Sequence, residues 1–186
     1  MHFQNVQKYQ RSLFQRKLLK FLMIVFNCSS LHKITFSKIL IANHENSFSE
    51  SGLISLYFTD LTNLVSIGRK AFHHCSKLVL IKLPSIQILS ESTFENCPSL
   101  KKIEIPHSMN EVQENCFLGC IDVTEVSILN PNIILKDCAF GFCVNLERYI
   151  SHSYCLPPMA FLGYNKMIPQ IFNPKYSQNL FKDFLK

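Results

Sequence analysis

The amino-acid sequence predicts a repeat solenoid of about seven β-containing units, each 22–24 residues long, closed by a short helical cap at both ends. Three observations predict it. Phe72, Phe94, Phe117 and Phe140 recur at spacings of 22, 23 and 23 residues. Each is followed three residues on by a cysteine (Cys75, Cys97, Cys120, Cys143), and three further by Leu78, Leu100, Val123 or Leu146. Two later columns, Ile81/Ile103/Val126/Tyr149 and Leu83/Ile105/Ile128/Ser151, then alternate with period two, as a strand with one buried face does.

Residues 1–24 open the chain with a basic amphipathic stretch. Val6, Tyr9, Leu13, Phe14, Leu18, Phe21, Leu22 and Val25 fall at helical spacing, with Lys8, Arg11, Gln15 and Arg16 mostly off that stripe. A helix that caps the open end of the repeat core is the expectation. Two alternatives stand beside it: a helix over residues 6–25 lying on an anionic membrane surface, and a cleaved leader ending in the apolar run Phe21–Phe26. No stretch of 18 apolar residues occurs, so no membrane-spanning helix is expected.

Residues 25–172 form the expected solenoid. Before the four clear units, Cys28, Leu31, Ile34 and Phe36 repeat the Cys-to-strand half, with Val25 at the Phe position. Phe48 lies 24 residues before Phe72, with Ser51 in the Cys column and Ile54, Tyr57 and Thr59 expected in the apolar columns. Downstream, Ala160-Phe161 copies Ala71-Phe72, followed by Met167 and Phe172. A further apolar column (Ile67, Leu89, Val112, Leu135) precedes each Phe by five residues. Pro84 and Pro106 end the first two clear strands, because proline lacks the N–H that pairing needs. No unit can bury its own apolar columns, so stacking is obligatory; seven strands about 4.8 Å apart make a stack roughly 30 Å long. Residues 173–186 close the chain. Pro174 precedes Tyr176, Leu180, Phe181, Phe184 and Leu185, a spacing that suits a short capping helix.

The segment Ile67-Gly68-Arg-Lys-Ala71-Phe72-His-His-Cys75-Ser-Lys-Leu78-Val-Leu-Ile81-Lys-Leu83-Pro84 resembles the BspA-like leucine-rich repeat, whose pattern is I-G-x-x-A-F-x-x-C-x-x-L-x-x-I-x-L-P. The resemblance is specific over residues 67–106, good to about residue 151 and weak outside. Ser90, Gln113 and Lys136 stand where that pattern has glycine, and the third and fourth clear units lack the proline. The resemblance implies a leucine-rich-repeat right-handed coil. It also implies a surface antigen or adhesin that binds a protein or extracellular-matrix ligand through its strand face, and it is the basis for expecting a cell-surface location. An intracellular protein-interaction scaffold is the alternative.

Composition agrees with a packed repeat. The apolar fraction is 47%, with 16 Phe, 5 Gly and no Trp. The net charge of +6 is uneven: residues 1–44 hold seven Lys/Arg and no acid, leaving 12 basic against 13 acidic groups, a net −1, in the other 142 residues. No nucleic-acid partner is expected. Of the eight cysteines, five (Cys28, Cys75, Cys97, Cys120, Cys143) share one repeat column, so buried free thiols are expected in preference to disulfides or zinc ligands. Asn27-Cys28-Ser29 is formally a glycosylation sequon. No phosphate loop, nucleophile elbow or His-Glu-x-x-His motif is present, and the His and acidic residues do not converge. No enzyme, metal or cofactor is therefore expected.

A binding surface is expected on the strands, where residues between buried columns point outward. The outward pairs run Lys33/Thr35, Leu56/Phe58, Leu80/Lys82, Lys102/Glu104, Glu125/Ser127 and Arg148/Ile150. Leu56, Phe58, Val79 and Leu80 would make an apolar patch on adjacent turns, bordered by Lys82, Lys102 and Glu104. The alternative is that the Phe48 unit is shifted by one residue, which turns Leu56 and Phe58 into the core.

Overall fold

A computed structural model describes residues 29–34, 42–43, 45–58, 64–151 and 157–163. These residues form a parallel β-solenoid with almost no helix. The long sheet contains β2 (Ser55–Tyr57), β4 (Leu80–Lys82), β6 (Lys102–Ile105), β8 (Glu125–Ile128) and β10 (Arg148–Ser151), in that spatial order. Its five strands bound four complete turns. The second column holds two-residue strands: β1 (Ala42–Asn43) pairs with β3 (Ser66–Ile67), and β5 (Ile88–Leu89), β7 (Glu111–Val112) and β9 (Ile134–Leu135) pair in series. This second ladder is the apolar column five residues before each Phe; Ile67, Leu89, Val112 and Leu135 are its buried members. One 3₁₀ turn, Pro158–Phe161, is the only helical element among the described residues.

Six phenylalanine rings run through the core. Phe48, Phe72, Phe94, Phe117, Phe140 and Phe161 stack with centroids 5.3–5.4 Å apart and planes within 14°. Offset stacking adds to the area each ring buries. The stack includes the Phe48 and Phe161 rings, and Leu31 and Ile34 pack on the same core; the described residues comprise about four complete turns, against the seven units expected. The Val25 position, Met167, Phe172 and both helical caps lie outside the described residues, as does the membrane-lying helix over 6–25.

The Phe–Cys corner is held by an alternating backbone. Residues two before each of the first five rings (Asn46, Lys70, Ser92, Asn115, Cys138) and two after (Glu50, His74, Asn96, Gly119, Phe142) are all left-handed, with φ of 54–58° for the non-glycines and 72° for Gly119. The alternation aims successive amides along the stack. Lys70 N–H donates to the Glu91 carbonyl (3.1 Å), Phe72 N–H to Thr93 (2.9 Å) and His74 N–H to Glu95 (2.9 Å), and every described turn repeats this set. The corner therefore satisfies its backbone groups between turns without being a strand.

The cysteine column has a second role beside filling space. The thiols of Cys75, Cys97, Cys120 and Cys143 point at the carbonyls of Phe48, Phe72, Phe94 and Phe117, at 3.2–3.4 Å. All four are buried free thiols, as is Cys116, and Cys138 is a half-buried one. At the N-terminal end of the column the buried Ser51 hydroxyl meets Cys75 Sγ at 3.2 Å. Where Pro84 and Pro106 close two turns, the third uses Asn130. Its buried amide donates to the Met109 carbonyl (2.9 Å) and accepts from Asn132 N–H (2.9 Å).

The Phe48 unit corrects the expected register. In the other turns two residues separate the Cys position from the next buried aliphatic; here Gly52 alone stands between Ser51 and Leu53. Leu53, Leu56 and Phe58 are buried, and Ile54 and Tyr57 are exposed. Leu56 pairs with Ile81, and the Phe58 ring meets Phe72 edge-on at 5.9 Å. Side chains alternate with period two, so the missing residue moves Leu56 and Phe58 from the outer face to the core. Gly52 fits because its missing Cβ would collide with the Ser29 carbonyl of the turn before.

Candidate functional site

Three positions per turn face outward along the long sheet. The Phe48 turn presents Ile54, Ser55 and Tyr57, and the next presents Val79, Leu80 and Lys82. Lys101, Lys102 and Glu104 follow, then Thr124, Glu125 and Ser127, then Glu147, Arg148 and Ile150. Backbone pairing sets them side by side: Ser55 stands opposite Leu80, Tyr57 opposite Lys82, and Leu80 opposite Lys102.

Of the residues expected to form the patch, Val79, Leu80, Lys82, Lys102 and Glu104 are exposed on this face, and Leu56 and Phe58 are core residues. Their places are taken by Ile54 and Tyr57. The apolar cluster is thus Ile54, Tyr57, Val79 and Leu80, with fractional exposures of 48, 47, 39 and 44%. Val79 and Leu80 amides both donate to the Ile54 carbonyl (2.9 and 3.4 Å), which places the two turns in contact. The shortened turn was visible in the sequence as Ser51-Gly52-Leu53.

The charges on the face differ from end to end. Glu125 accepts Arg148 (2.9 Å) and lies 3.5 Å from Lys102 Nζ, while Lys101 binds Asp122 at 2.6 Å. Lys82 and Glu104 make no ion pair among the described residues. On the corner flank, Ile121, Phe142, Val144 and Leu162 are exposed apolar residues as well.

Burial pushes the thiols of Cys97, Cys116 and Cys143 up, and that of Cys120 to about 12, so these sulfurs stay protonated. Burial, then the neighbouring His74, holds His73 below the ordinary imidazole range; its Nε2 lies 3.7 Å from Glu95. Among the described residues no three His, Cys, Asp or Glu side chains converge as metal ligands, and no helix is long and apolar enough to cross a membrane.

A stack of parallel two-strand turns with aligned Phe, Cys and Leu columns defines a leucine-rich-repeat protein. The sequence matches the family of the BspA type leucine rich repeat region over residues 1–63 and 44–165, and the chain belongs to that family. Its fold is similar to that of a leucine-rich repeat protein from Bacteroides ovatus, with a TM-score of 0.61 and 20% identity. That match covers 68% of this chain and 38% of the other. A leucine rich cell surface protein from Faecalibacterium prausnitzii is matched at a TM-score of 0.45 and 19% identity, over 66% of this chain and 54% of the other. The chain thus matches about two-fifths to one-half of the length of these two proteins. No curated protein matches this chain. Members of the family are generally non-enzymatic repeat proteins.

Proposed function

We propose that this chain is a non-enzymatic protein-recognition module that binds a protein or extracellular-matrix ligand through the outer face of its long sheet, displayed at a cell surface. The observation that carries the reading is the cluster of Ile54, Tyr57, Val79 and Leu80. The repeat does not require these side chains to be apolar, because the matching positions of later turns hold Lys101, Lys102 and Glu104 or Thr124, Glu125 and Ser127. Contiguous exposed apolar area on a rigid scaffold marks interaction sites. A sheet locked by inter-turn hydrogen bonds also offers that area with little ordering cost on binding.

The test compares ligand capture from cell-surface and secreted fractions by immobilised wild-type chain and by Tyr57→Asp/Leu80→Asp. Both side chains are exposed, so the variant should keep the wild-type circular dichroism. Capture lost in the folded variant supports the reading; equal capture by both chains overturns it. Surface biotinylation of intact cells tests the location, and a chain labelled only after lysis refutes display.

A further inference from the structure

We infer that the segment bound on the Ile54–Leu80 cluster is an extended acidic–apolar stretch of a partner protein. Apolar side chains would seat on the cluster and carboxylates would meet Lys33 and Lys82. The inference rests on the strand-face reading above and adds the chemistry of the partner.

The site is narrow, and charge complementarity selects its occupant. The cluster spans two turns, about 5 Å across the strands and about 10 Å along them, the footprint of a single extended segment. The Ile54 amide donates to the His32 carbonyl (3.3 Å), which brings the preceding turn alongside and sets exposed Lys33 next to Ser55. Lys82 stands opposite Tyr57 on the other border. Neither lysine makes an ion pair among the described residues, and the nearest carboxylate on the face is Glu104, on the strand beside Lys82 but not paired with it. Lys101 on the following turn is paired with Asp122, and Lys102 shares Glu125 with Arg148. A neutral apolar ligand would desolvate Lys33 and Lys82 without a partner, a basic one would be repelled, and an acidic one satisfies both.

An anionic membrane shares this chemistry, and the width of the site argues against it. A flat bilayer would also meet Glu104, Glu125 and Glu147 on the same face, where carboxylates oppose anionic lipid. A segment two turns wide borders Glu104 but does not reach Glu125 or Glu147.

The test is selection of random twelve-residue peptides, displayed on phage, against the folded full chain. Enriched sequences should combine apolar or aromatic residues with two or more Asp or Glu. Their synthetic forms should lose about tenfold or more in affinity on Leu80→Asp, roughly three- to tenfold on Lys82→Glu, and little on Arg148→Glu. Enrichment of basic or uncharged peptides, or unchanged binding to Lys82→Glu, overturns the inference. If such peptides still depend on Leu80, the strand-face reading survives alone. No enrichment, or peptides indifferent to all three substitutions, removes both. Co-flotation with phosphatidylserine vesicles that is lost on Leu80→Asp assigns the patch to a membrane and likewise overturns the peptide.

Discussion

Raising the pH should unfold this protein through its buried thiols. Cys97, Cys116, Cys120 and Cys143 are all held well above the value near 9 of an unburied thiol, because burial opposes the thiolate. Between pH 9 and the folded value, the unfolded chain releases protons that the folded chain keeps. The unfolded state then binds fewer protons, so stability falls as pH rises. It is fully present below the unfolded value. Cys120, pushed up to about 12, costs roughly 1 kcal/mol at pH 10 and roughly 3 at pH 11, and Cys97, Cys116 and Cys143 act in the same direction, while the Cys75 thiol, held down by its hydrogen bonds from Cys97 and Ser51, opposes them. A whole domain is stable by only about 5–15 kcal/mol. Urea midpoints followed by circular dichroism, with reductant present, should therefore collapse between pH 9 and 11. Cys97→Ala/Cys120→Ala should reduce the pH slope while lowering stability at pH 7. Stability unchanged from pH 8 to 10.5, or the same slope in that variant, would refute the reasoning.

Other substitutions probe the rest of the stack. Phe94→Ala leaves a gap between Phe72 and Phe117 and should cost about 3–5 kcal/mol by urea denaturation. Gly52→Ala forces a Cβ into the Ser29 carbonyl and should cost about 2 kcal/mol or more, read as a lowered Tm. Lys70→Gly relieves a left-handed residue whose amide bond to Glu91 is kept, so it should stabilise by up to about 1 kcal/mol. Glu125→Gln removes the negative charge shared by Lys102 and Arg148, yet it should change stability by less than about 1 kcal/mol, because both cations are exposed.

The core was legible in the sequence because the repeat states it several times over. Phe72, Phe94, Phe117 and Phe140 share one environment, so each column is read from several residues and local noise cancels. The same redundancy identified the cysteines as packing. What it could not convey was the corner backbone. The left-handed positions hold Asn, Glu, Lys, His, Ser, Cys and Phe, with glycine only at Gly119 of the full turns. Inter-turn hydrogen bonds impose that conformation on residues whose own preference is against it. The two-residue strands β3, β5, β7 and β9 were likewise too short to show a period and appeared only as a single apolar column.

The surface was legible less well, for a physical reason specific to repeats. A buried column tolerates few residue types, whereas an outward column tolerates almost any, so outward residues carry meaning only once the register is settled. In the Phe48 turn the register moved by one residue at Gly52, and the outward pair changed from Leu56 and Phe58 to Ser55 and Tyr57. Ile54 moved outward with them, from an expected core column. Burial decided between the two registers: Leu53, Leu56 and Phe58 make three apolar residues inside, against Ile54 and Tyr57 left half-exposed. Each carbon-rich side chain moved from water to the core gains about 1.5–3 kcal/mol, so the shift that buries the larger set wins. The turn that departs from the repeat is therefore also the one that supplies half of the apolar cluster. A ligand site arises there without disturbing the Phe stack, because Gly52 absorbs the missing residue before the strand begins.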